Sequence, residues 1–144
     1  MFGMDENKVK EQVLAVMEDH KIGSLATVKD KKPHSRYMTF YNKDFTLFTP
    51  TDKDTYKAEE IDENPNVHVL LGYTGEGYDD AFIEFQGKAT IRDDQETKDA
   101  FWHDSLKHYF DSANDPSYIL LELQPKTIRL MNKGDHTPHE ISFD

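Results

Sequence analysis

Val9, Val13, Val16 and Met17 recur at helical spacing with polar residues on the opposite face, so the chain is expected to open with an amphipathic helix over roughly 5–20. From Ile22 the pattern changes to short runs rich in Thr, Val, Tyr and Phe: 22–29, 34–41, 45–49, 67–73, 82–92, 117–124 and 127–132. These read as strands. Along 82–92 the alternation is regular. Ile83, Phe85, Gly87, Ala89 and Ile91 share one face and Glu84, Gln86, Lys88 and Thr90 the other, so one face is buried.

The connections suggest the topology. Lys29 to Pro33 and Asn42-Lys43-Asp44 are short polar turns, which makes the first three strands an antiparallel meander. Asp52 is placed to cap a short helix carrying Tyr56, Ala58 and Ile61, which stops at Asn64-Pro65. A third helix is expected to open at Asp93, with Glu96 as its capping-box partner, and to run through Phe101, Trp102, Leu106, Tyr109 and Phe110. Short turns between strands and helices at the periphery predict a mainly β chain, an antiparallel β-barrel with peripheral helices. No repeat, low-complexity stretch or linker divides it, so 1–144 is read as a single domain.

Composition narrows the class. With 144 residues the chain can bury roughly 70 % of its unfolded surface and needs no disulfide or metal staple. No apolar run approaches the ~18 residues of a membrane span, and the charged start lacks the apolar stretch of a signal peptide. The absence of cysteine agrees with a reducing cytosol, and a cytoplasmic location is expected. A net charge of −11 repels nucleic acid and anionic lipid, so neither is an expected partner. A small phosphorylated ligand remains open, because it senses a local cluster of donors and cations rather than total charge.

Three arginines are present, and Arg36 lies inside the run Ser35 to Phe40 with Met38 and Phe40 on its own side. A guanidinium on an apolar face needs an anionic partner, either a protein carboxylate or a ligand phosphate. Judged on the strand alone, the internal ion pair is the default. Phe48 to Asp52 ends a strand and enters a helix whose first turns carry Lys53 and Lys57. Hydroxyls, free N–H groups at a helix start and a lysine one turn later form a phosphate cradle; the alternative is an ordinary N-cap with two solvated lysines. Gly72 to Gly77 has the wrong order for a dinucleotide fingerprint, and its acidic neighbours Glu76, Asp79 and Asp80 repel phosphate, so it reads as a hairpin loop.

His103 and His108 are five apart, on different helix faces, while His136 and His139 sit in a polar tail; no metal site is expected. Trp102, Tyr109 and Phe110 can stack on a planar ligand or fill a core. No catalytic acid, base or nucleophile is identifiable by spacing.

Taken in order, several segments look familiar. They are Gly23 to Val28, Pro33 to Met38, Phe45 to Thr49, Lys57, Asn64 to Val67, Gly87-Lys88-Ala89, Phe101-Trp102 and Asp115-Pro116. The chain resembles the general stress protein branch of the pyridoxamine phosphate oxidase-like, FMN-binding split-barrel superfamily over nearly its whole length. The resemblance implies a six-stranded split barrel that pairs into a homodimer with two FMN molecules at the interface. It places Arg36, Tyr37, Met38 and Thr39 along the isoalloxazine and ribityl chain. Thr49 and Thr51 would take ribityl or phosphate oxygens, and Lys57 with Arg36 would neutralise the phosphate. Trp102, Tyr109 and Phe110 match an aromatic helix that the branch places near the flavin, from the partner subunit.

Departures limit what the resemblance implies. Tyr41 stands where the true oxidases carry a substrate-contacting lysine, Phe82 stands in place of their glutamine, and their late Arg-x-His motif is missing after Leu130. Met131 replaces a tryptophan usual in the stress-protein branch. The implied function is therefore FMN-dependent redox chemistry on an unidentified small molecule, rather than vitamin B6 oxidation. Its alternatives are non-enzymatic flavin storage, or binding of deazaflavin or haem.

Overall fold

A computed structural model describes residues 5–134 and 138–143, with the side chains of Tyr56 and Lys57 outside that description. Helix α1 (Glu6–Asp19) starts where the Asp5 carboxylate accepts the Lys8 N–H at 2.8 Å, and it buries the expected stripe Val9, Val13, Val16 and Met17. Eight strands follow: β1 (Ile22–Lys29), β2 (Lys32–Thr39), β3 (Tyr41–Lys43), β4 (Thr46–Asp52), β5 (Asn66–Gly72), β6 (Phe82–Arg92), β7 (Tyr118–Met131) and β8 (His139–Ser142). They form one sheet in the order β2-β1-β5-β6-β7-β4-β3, with β8 on β7 and every pairing antiparallel.

The expected meander of the first three strands does not form. The single strand predicted over 34–41 breaks at Phe40, which is buried and donates its backbone N–H to the Lys21 carbonyl at 2.6 Å. Before the break β2 pairs with β1; after it β3 pairs with β4, at the other end of the sheet. The two end strands are thus consecutive in sequence. The sheet curls into a split barrel around Leu25, Phe40, Leu47, Val69, Phe85 and Leu123, with α1 packed on the same core.

The two strands expected over 117–124 and 127–132 are one, running through Pro125. β7 continues through it because the register against β6 shifts between Gln86 and Gly87. A Cβ on Gly87 would strike the Gln124 carbonyl oxygen, so the close approach demands glycine. The polar tail also holds a strand: β8 pairs with Thr127 to Leu130 and buries Ile141. His139 belongs to it, whereas His136 lies outside the described residues.

Both later helices differ from expectation. Helix α2 (Tyr56–Glu63) takes Thr55 rather than Asp52 as its N-cap residue, because the Asp52 carboxylate accepts the Asp54 N–H at 2.9 Å and its carbonyl accepts the Thr55 hydroxyl at 2.8 Å. Helix α3 (Gln95–Ala100) opens on Asp94, whose carboxylate accepts the Thr97 N–H and hydroxyl at 3.1 and 2.7 Å. It stops before Phe101 and a 3-10 turn follows over Asp104–His108. The aromatic spacing that mimicked one long helix serves tertiary packing. Phe101 stacks on Phe48 at 4.3 Å, and Trp102 meets Tyr118 edge-on at 5.4 Å. With Leu106 and Phe110 these rings form a second, smaller core.

Candidate cofactor cleft

The break at Phe40 leaves a cleft of about 610 Å³ between the end of β2 and the helical segments, within the ~300–1,000 Å³ usual for small-molecule sites. Tyr37, Met38 and Thr39 form one wall. Tyr41 contributes from β3, Pro50, Thr51 and Asp52 from the end of β4, and Thr55 from the start of α2. Ser105, Leu106 and His108 close it from the 3-10 turn, and Tyr109 and Phe110 from the residues just after it.

Of the residues singled out by sequence, Tyr37, Met38, Thr39, Thr51, Tyr109 and Phe110 meet at this cleft. Phe110 also belongs to the smaller core, and Trp102 lies against that core rather than on the cleft lining. Thr49 is fully buried on β4, away from the lining, and its hydroxyl finds no hydrogen-bond partner among the described residues. The Lys57 side chain lies outside the described residues.

The resemblance gives Arg36 to the cofactor phosphate; in this structure the guanidinium instead forms the internal ion pair that the strand alone suggested. Its guanidinium donates to the Glu60 carboxylate at 3.0 Å and to the Leu25 carbonyl at 3.3 Å, and it is absent from the cleft lining. Glu60, on α2 and only 1 % exposed, also accepts the Thr27 hydroxyl and the His34 Nδ1–H, the latter at 3.0 Å. Burial alone would raise its carboxyl pKa. The hydrogen bonds from Thr27, His34 and Arg36, with the Arg36 charge, outweigh that and hold it below the ordinary value.

Sequence reasoning missed Glu60, Thr55, Ser105 and His108 as neighbours of the site, and it mentioned Tyr41 only as a departure. The Tyr41 ring stacks on His103 at 4.5 Å and carries the Lys21 ammonium 5.9 Å from its centroid. Burial pushes its phenol pKa above the usual value, so it remains a neutral donor.

The lining suits a planar heteroaromatic group with a polar tail. Tyr37 and Tyr109 are 81 % and 79 % exposed and free to stack, while Thr39, Thr51, Thr55 and Ser105 offer hydroxyls. The start of α2 has no side-chain cap on its N–H groups, which leaves donors for an anion. Among the described residues no lysine or arginine lines the cleft, and no cluster of three metal-ligating side chains occurs. No helix among them is long and apolar enough to cross a membrane.

Residues 9–132 match the family model described as pyridoxamine 5'-phosphate oxidase. General stress protein 26 of Bacillus subtilis (strain 168) is 53 % identical over 140 residues, covering 97 % of this chain and all of that protein. The crystal structure of general stress protein 26 from Bacillus anthracis str. Sterne superposes with a TM-score of 0.84 at 36 % identity, over 94 % of this chain and 98 % of that one. By sequence and by fold, this chain belongs to the pyridoxamine 5'-phosphate oxidase family, among its general stress protein relatives.

Proposed function

We propose that this protein is a cytoplasmic homodimer that binds FMN in the cleft beside Tyr37–Thr39 and uses it in a redox reaction on a small molecule. The observation that carries the reading is the convergence, in one cleft, of stackable rings from β2 and the 3-10 segment with hydroxyls at the uncapped start of α2. Tyr37, Met38 and Thr39 would flank the ring, Thr51 would donate to a ribityl or phosphate oxygen, Thr55, whose hydrogen is given to the Asp52 carbonyl, would accept from a ribityl hydroxyl, and Lys57 would supply the phosphate's counter-charge. Arg36 is committed to Glu60. Bound there, the flavin supplies the electron-accepting ring, while the protein orients it and controls access. Tyr41, whose phenol stays neutral, offers a donor at the cleft wall.

The dimer reading draws on a neighbouring groove of about 650 Å³ lined by Ile22, Gly23, Ser24, Tyr37, Leu70, Gly72, Tyr73 and Phe82. In a chain of net charge −11 this groove has no charged side chain among the described residues. Two copies meeting there would avoid the repulsion they meet elsewhere. Tyr37 lines both hollows, so a second copy seated in the groove would stand beside the flavin.

The same fold, at 18 % identity and a TM-score of 0.65, occurs in a FAD-binding protein from Mesorhizobium loti, and at 12 % and 0.73 in a heme binding protein from Mycobacterium smegmatis. His108 is the one imidazole among the described cleft residues. The absorbance spectrum of freshly purified protein separates flavin from haem, and the mass of the released cofactor separates FMN from FAD: a two-banded flavin spectrum with the mass of FMN supports the proposal, and an intense Soret band overturns it in favour of haem. FMN-loaded protein given NADH or NADPH is then expected to reduce its flavin faster than free FMN. Equal rates would leave storage as the function.

A further inference from the structure

We infer that Glu60 is the positioning residue of the cleft: its buried carboxylate ties β1 and β2 to α2 and so sets the separation of the two cleft walls. The inference rests on the FMN reading above.

β2 is an end strand, hydrogen-bonded to β1 alone, and its first four residues are exposed. Beyond that ladder and the packing of Met38 on the core, its side chains are tied to α2 through Glu60. The Glu60 carboxylate gathers the Thr27 hydroxyl from β1 with the His34 Nδ1–H and the Arg36 guanidinium from β2. Donors on two strands thus converge on one helical side chain. Separating them would expose or strand a buried charge, which makes the junction stiff. Arg36 immediately precedes the wall residue Tyr37, and Glu60 follows the wall residue Thr55 by five positions. The junction therefore acts close to both walls, and Glu60 does so without lining the cleft itself.

Two readouts test this on the full chain: FMN affinity by fluorescence titration, and amide exchange of residues 37–40 in flavin-free protein. Glu60→Gln keeps the shape and removes the charge. It is expected to weaken FMN binding at least tenfold and to speed exchange at 37–40, with Thr27→Val intermediate in both. Unchanged or tighter binding in Glu60→Gln, the result if Arg36 once freed reaches the phosphate itself, would overturn the inference, as would unaltered exchange.

The paired variant Arg36→Met with Glu60→Leu separates positioning from mere stabilisation. It is expected to recover the melting temperature without recovering affinity; recovery of both would reduce the pair to a stabilising contact and overturn the inference. Should Glu60→Gln fail to fold, Thr27→Val carries both readouts alone. If wild-type protein does not bind FMN, the cofactor reading fails, and the exchange result by itself decides the role of Glu60.

Discussion

Tyr118 donates its phenol hydrogen to the Lys98 carbonyl at 2.8 Å, and the Lys98 ammonium sits 5.5 Å from the centroid of the Tyr118 ring. The same ammonium donates to the Asp115 carbonyl at 3.0 Å. Together these contacts rivet α3 to the start of β7 and fix where the chain departs toward the 3-10 segment that closes the cleft.

This rivet gives stability an alkaline limit. Burial, with smaller effects of Asp99 and Tyr41, pushes the Tyr118 phenol up to about 12, against about 10 when unfolded. The raised folded-state value favours the neutral form. Its contribution is complete below pH 10 and is lost as pH rises from 10 toward about 12, where the unfolded chain ionises first. Tyr118→Phe should cost about 1 kcal/mol near neutrality, and the gap from wild type should narrow across that window in denaturant titrations.

The stranded Thr49 hydroxyl predicts a stabilising substitution. A buried polar group without a partner costs about 1–3 kcal/mol, so Thr49→Val should raise the denaturation midpoint by a gain of that order. FMN affinity should be unchanged, because Thr49 is absent from the cleft lining. Lost affinity would instead assign its hydroxyl to the ribityl chain, as the family resemblance implies.

At Gly87 the opposing group is backbone, which cannot turn aside. Gly87→Ala should cost about 1–3 kcal/mol by forcing β6 and β7 apart at the register shift, measured by thermal denaturation. A variant as stable as wild type would mean that the strands do not approach closely there.

Tyr109 is largely solvent-exposed, so Tyr109→Ala should change stability by less than about 0.5 kcal/mol. If its ring stacks on the flavin, a loss of about 1–3 kcal/mol should weaken FMN binding roughly fivefold to a hundredfold.

Much of the architecture was legible where a local pattern and its burial agree. The stripe of α1 and the alternation of β6 each fix a buried face, and the structure buries them. What failed depended on distant partners. Phe40 ends β2 because the core takes its ring and Lys21 takes its N–H; neither partner is visible in the run 34–41. Pro125 reads as a strand break until Gly87 is set opposite it. The aromatic series from Phe101 to Phe110 has helical spacing, yet Phe48 and Tyr118 draw it into another path.

The site divides the same way. Tyr37 to Thr39 and Thr51, which line the cleft, belong to contiguous motifs that a sequence displays. Glu60 was not: Arg36 announced its need for an anion, but 28 acidic residues left the choice open until α2 was folded against the sheet.

The most direct test of the account is titration of flavin-free protein with FMN, followed by flavin fluorescence. It predicts saturable quenching at one FMN per chain, with a Kd of about 1 μM or below, equivalent to roughly −8 kcal/mol. Emission that stays that of free FMN throughout the titration would contradict it.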